Sequence, residues 1–141
     1  MSYRFNPFTG LFDNVSGAGG TVEYAEKVAA EFNCAAEVVV GDLVRPSETD
    51  ADTVLRVTSN TYSGLVFGIV IEKISSVRCK VLVSGKITGL TALDLGKAIY
   101  VNDVGGITTT PPLTGHRQKL GISINATTAF LLPSMEKVIL A

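Results

Sequence analysis

Val77-Arg78-Cys79-Lys80-Val81-Leu82-Val83-Ser84 sets Val77, Cys79, Val81 and Val83 at one parity and Arg78, Lys80, Leu82 and Ser84 at the other. A backbone that sends successive side chains to opposite sides turns the first set toward a core and the second, with its two charges, toward water. The stretch therefore predicts a half-buried β-strand. Apolar segments of similar length recur at 37–44, 53–58, 65–73, 97–102, 119–124 and 127–132, separated by Gly, Asn, Asp or Pro. Val, Ile and Thr are abundant and tryptophan is absent, a composition suited to strands rather than helices. The fold class predicted is all-β: a small antiparallel Greek-key β-barrel or jelly-roll-like sandwich, with little helix.

Working outward, 65–71 is apolar at both parities, with Leu65, Phe67, Ile69 and Ile71 on one face and Val66, Gly68 and Val70 on the other. Either this strand lies between two packed layers or its second face meets another subunit. The break at 72–76 predicts a hairpin, and Asn102-Asp103-Val104-Gly105-Gly106 predicts a tight turn flanked by 100–101 and 107–109. Pro111-Pro112 removes two donors and must cross between strands at the surface. Segment 22–32 fits a helical face at Val22, Ala25, Ala29 and Phe32, while Lys27-Val28-Ala29-Ala30-Glu31-Phe32 also fits an irregular strand, which is the reading favoured. Residues 1–20 end in Ser16-Gly17-Ala18-Gly19-Gly20 and read as an extended N-terminal arm with a glycine-rich hinge, leaving 21–141 as one β-barrel domain with a short C-terminal tail.

The 141 residues suit a single core. With 46% hydrophobic and 18% charged residues the chain is too apolar for disorder, and a longest apolar run of seven is far short of the roughly 20 that a transmembrane helix needs. No membrane association is expected, and the N-terminus lacks the pattern of a secretory signal. Twelve Lys and Arg balance thirteen Asp and Glu without a basic run, so no nucleic-acid partner is expected. Cys34 and Cys79 read as small core residues in a reducing compartment, with their separation in space left open.

Chemistry-bearing patterns are weak. Gly17-Ala18-Gly19-Gly20 meets Val22 where a dinucleotide fingerprint requires glycine, and Gly85-Lys86 and Gly96-Lys97 continue into Ile87 and Ala98 rather than Ser or Thr. Glu48, Asp50 and Asp52 alternate as calcium ligands can, but Leu55 and Thr61 stand where such a loop needs Gly and Glu, so a solvated tip is expected. The lone His116 reads as part of an exposed loop; with two cysteines it falls short of a zinc set, and no Gly-x-Ser-x-Gly elbow is present. No catalytic residue, metal or cofactor is assigned.

The chain has six Phe and four Tyr, and Tyr3, Phe5, Phe8 and Phe12 lie in its first twelve residues beside Arg4. Aromatics and Arg anchor interfaces, whereas an exposed polar tail would not concentrate them. Tyr3, Arg4, Phe5, Phe8 and Phe12 are therefore the candidate partner-binding residues; an arm folded back onto its own barrel is the competing reading. The two apolar faces of 65–71 and the closing Met135-Glu136-Lys137-Val138-Ile139-Leu140 predict a homodimer or homotrimer, with Val66, Val70, Val138 and Leu140 at the oligomer interface.

The opening Tyr3-Arg4-Phe5-Asn6-Pro7-Phe8-Thr9-Gly10-Leu11-Phe12-Asp13 resembles the start of many small virion proteins of tailed bacteriophages. Val40-Gly41-Asp42-Leu43-Val44, Phe67-Gly68-Ile69-Val70, Cys79-Lys80-Val81-Leu82-Val83-Ser84-Gly85 and Leu95-Gly96-Lys97-Ala98-Ile99-Tyr100-Val101 resemble the β-barrel modules of phage capsid decoration proteins and of head or tail fibres. Gly105-Gly106-Ile107-Thr108, Pro111-Pro112 and Leu120-Gly121-Ile122-Ser123 extend the likeness over most of the chain. The resemblance implies a non-enzymatic structural virion protein, assembled in the bacterial host cytoplasm and located on the capsid surface. It implies a capsid cement or decoration protein that binds the major capsid protein and stabilises the head. A tail-associated adaptor, a receptor-binding or fibre-attachment module, or a glycan-binding or glycan-hydrolysing barrel are the alternatives.

Overall fold

The computed structural model describes residues 28–140 in full, and Lys27 and residues 3–6 and 11–14 by their backbone. Among the described residues thirteen strands follow one another: β1 Tyr3–Asn6, β2 Leu11–Asn14, β3 Lys27–Asn33, β4 Leu43–Pro46, β5 Val54–Arg56, β6 Gly68–Ser75, β7 Arg78–Ile87, β8 Ala98–Val101, β9 Ile107–Thr108, β10 Gly115–Arg117, β11 Gly121–Ser123, β12 Ala129–Leu131 and β13 Val138–Leu140. No helix occurs among the described residues. The all-β prediction is met by an antiparallel sheet in the order β5-β4-β6-β7-β12-β11-β8-β9, with β3 also on β7, curled into a half-barrel.

Strand β7, the alternating stretch that opens the sequence reading, organises the curl. Leu82 pairs with both Ile69 of β6 and Ala29 of β3, so these two strands flank it on opposite edges. Gly85 pairs with both Lys27 of β3 and Leu131 of β12. It follows that β6 and β12 share one edge of β7 in succession, the sheet dividing where β6 leaves and β12 takes over. The register of β3 shifts between Val28 and Ala29 at this point. Such a bulge bends the strand and resets its alternation, which explains how Leu82 and Ile87, of opposite parity, enter the same core.

That core also holds Leu43, Val66, Ile69, Ile99, Leu120 and Leu131. A second cluster, Cys34, Val38, Val44, Val54, Val70, Cys79 and Val81, lies on the other side of β4, β6 and β7. The neighbours Leu43/Val44, Ile69/Val70 and Leu82/Val81 therefore face opposite cores. The two apolar faces of 65–71 are satisfied inside the chain, which selects the two-layer reading. Leu82, expected on a solvent face, is 2% exposed, while Val77 lies outside the strand at 61%.

Segment 37–44 departs from its predicted strand. The regular strand begins only at Leu43, although the Gly41 amide and the Asp42 carbonyl already bond to Val70 of β6; before them the chain turns and is held by side chains: Lys73 Nζ donates to the carbonyls of Ala35 (2.8 Å) and Val38 (2.6 Å), and the Val39 amide donates to the Asp42 carboxylate (2.9 Å). The predicted turn at 102–106 forms as read. Asn102 Oδ1 accepts from the amides of Val104 and Gly106, and Tyr100 pairs with Thr108 across the hairpin. Gly105 has φ +84°, and a Cβ there would run into the Val57 carbonyl, so only glycine lets this hairpin lie against the chain leaving β5.

Candidate functional site

Between β1 and β2 the backbone pairs antiparallel, with Phe5 opposite Phe12 and Tyr3 opposite Asn14. The side chains of Tyr3, Arg4, Phe5, Phe8 and Phe12, and the hinge glycines 17, 19 and 20, lie outside the described residues.

The four residues assigned to an oligomer interface separate. Val66 and Val70 are 0% and 1% exposed within the single chain, enclosed by its own two cores, so the interface assignment fails for both. Their apolarity reflects burial from both sides of the sheet rather than a partner. Val138 is 58% exposed and Leu140 half-buried, on a terminal strand paired to β10 through Gly115↔Leu140, His116↔Ile139 and Arg117↔Val138. Ile139 (71%) and Met135 (69%), from the closing stretch, and Leu132 (63%) before it are exposed as well. On the outer face of the curl Ile122 and Phe130 stand opposite each other, both exposed.

A polar cluster ties the terminal segment to the body. Gln118, 1% exposed, accepts at Oε1 from the Tyr62 hydroxyl (2.9 Å) and the Val66 amide (3.0 Å), and donates from Nε2 to the carbonyls of Val66 (2.7 Å) and Ser134 (2.8 Å). All four bonding positions of the buried amide are used, as burial of a polar group demands. Tyr62 is buried, which pushes its phenol up to about 12. Lys137 Nζ donates to the Tyr62 carbonyl (2.6 Å), stands 3.0 Å from His116 Nδ1 and lies 4.4 Å from the centre of the Tyr62 ring. His116 is thus not in an exposed loop: it sits half-buried in β10, edge-on to Tyr62 with ring centres 5.2 Å apart. Burial, then the Lys137 charge, holds its imidazole below the ordinary range, and burial followed by Arg45 lowers Lys137.

Elsewhere the arrangement offers little for catalysis. Cys34 and Cys79 come together in the second core as free, buried thiols; burial, then the bond to Cys34, pushes Cys79 up to about 11, which keeps it protonated and weakly nucleophilic. Glu48, Asp50 and Asp52 are exposed, and among the described residues no three His, Cys, Asp or Glu side chains are placed to hold a metal ion. A cleft of about 500 Å³ opens between Leu43, Ile69, Ile87 and Ile107, with Lys86 at its wall. No helix of the described residues is long and apolar enough to cross a membrane.

No family model and no curated protein matches the sequence. Among solved structures the fold is similar to the N base of head fiber gp8.5 in bacteriophage phi29, with a TM-score of 0.51 and 12% identity, covering 79% of this chain and 97% of that one. At that identity the likeness is one of fold.

Proposed function

We propose that this chain is a structural protein of a tailed-phage virion, mounted on the capsid surface as a cement or decoration protein bound to the major capsid protein. The observation that carries the reading is the fold shared with nearly the whole length of a head-fiber base. A fold alone does not specify a task. Here it coincides with the independent resemblance of the sequence to virion β-barrels. Assembly in the host cytoplasm, no catalytic step, no cofactor and no nucleic-acid or membrane partner belong to the same proposal.

Attachment falls to residues 1–15, with Phe5, Phe8 and Phe12 as apolar anchors and Tyr3 and Arg4 beside them. Burying one such ring contributes roughly 1.5–3 kcal/mol, so two or three change occupancy by orders of magnitude even after ordering costs. Contacts to several capsid subunits at once then convert modest interfaces into tight binding. A homodimer or homotrimer, with Val138 and Leu140 on its interface, completes the proposal. The same fold likeness also favours a second reading, in which the chain is a base that carries a longer fibre on the head.

Heads stripped of the protein and re-supplied with it provide the test. Full-length protein is expected to restore the temperature at which the genome escapes. A form lacking 1–15 is expected to melt as the full chain does yet restore nothing. Equal genome retention by stripped and re-supplied heads would refute a cement role; a truncated form that binds equally well would remove the arm from attachment.

A further inference from the structure

We propose that His116 and Lys137 form an acid-sensitive latch that holds the C-terminal strand β13 on the barrel while His116 is neutral and releases it when the imidazole is protonated. An ammonium has donors only, so the 3.0 Å contact between Lys137 Nζ and His116 Nδ1 requires a lone pair on Nδ1. The neutral tautomer with its proton on Nε2 provides it. Adding a proton turns Nδ1 into a second donor and sets two positive charges face to face at hydrogen-bond distance.

The neighbours pull in both directions, the Tyr62 backbone favouring the protonated imidazole. Arg45, from β4, adds positive charge near Lys137, whereas Glu48, from the loop after β4, attracts it. Tyr62 presents its ring and its backbone carbonyl, and Arg117, next to His116 in β10, donates to the Pro112 carbonyl (2.6 Å). Glu48 already accepts from the Ser63 hydroxyl (2.8 Å), so its pull is shared. Among the described residues of a single chain, β13 pairs with β10 over three residues, and Val138 and Ile139 are largely exposed. Upstream, Ser134 is fixed through its amide to Lys119 and through its carbonyl to Gln118, which confines the releasable segment to residues beyond it.

The sign is set by burial and by Lys137, which outweigh the opposing hydrogen bond to the Tyr62 backbone and hold the folded-state imidazole below its ordinary value. The unfolded or released state then binds the proton more readily, so docking is complete at and above the ordinary histidine range and weakens as pH falls beneath it. Release would uncover the Tyr62 and Gln118 end of the core together with an unpaired edge on β10.

Peptide-resolved hydrogen exchange of the full chain at about pH 7.5 and about pH 5, corrected for the intrinsic rate, tests the latch. The expected result is an at least tenfold loss of protection in residues 135–140 at the lower pH with β7 unchanged. His116→Asn, which keeps an acceptor near the Nδ1 position but cannot be protonated there, is expected to stay protected at both. Protection independent of pH in the natural chain, an equal loss throughout β7, or the same acid release in His116→Asn would each overturn the proposal. Should that variant not fold, the imidazole titration followed by NMR decides: a midpoint coinciding with β13 release supports the latch and a separate midpoint refutes it.

Discussion

Gln118 shows what a single residue does that composition conceals. Its amide sits between the chain around Tyr62 and Val66 and the chain at Ser134, satisfying groups from both. Gln118→Leu keeps the volume but strands the Tyr62 hydroxyl and the amide and carbonyl of Val66 away from water. Each such group costs about 1–3 kcal/mol, so a loss of roughly 3 kcal/mol or more is expected in urea unfolding. Stability unchanged within about 0.5 kcal/mol would mean that water reaches these groups. Nothing in Arg117-Gln118-Lys119 announces this role, because a glutamine between two cations reads as surface and its partner at Val66 lies 52 residues away. His116 was hidden likewise: glycine and two prolines before it signal a loop, while its fixed position comes from pairing with a terminal strand.

Strands were legible where one periodicity had one cause. Segments 97–102, 119–124 and 127–132 contain β8, β11 and β12, and the turn at 102–106 followed from Asn and Gly needing no long-range help. Segment 37–44 misled because a run of apolar residues does not say whether its amides bond to a strand or to side chains such as Asp42. In 65–71 the pattern was read correctly as two apolar faces, but only the second core identifies what covers them. This yields a contrast between two valines. Val70→Ala, which empties space in a closed core, is expected to lower stability by about 2 kcal/mol and leave sedimentation unchanged. Val138→Asp, on an exposed strand, is expected to shift sedimentation toward the monomer with little change in melting. The opposite assignment of effects would return the interface to β6.

At the scale of the molecule, the curl arises from one ten-residue strand serving two sub-sheets, and no local pattern encodes which strands share its edge. All-β architecture could be read from spacing and composition; the half-barrel could not, since it depends on β6 and β12 meeting β7 in succession. The proposed function stands on a likeness of fold over 79% of the chain rather than on a reactive site, so whole particles must judge it. The most direct measurement is quantitative mass spectrometry of purified virions, with heads and tails separated and copies counted against the major capsid protein. A cement protein is expected in the head fraction at hundreds of copies per particle. Absence from purified particles, or confinement to the tail fraction at a few copies, would contradict the account.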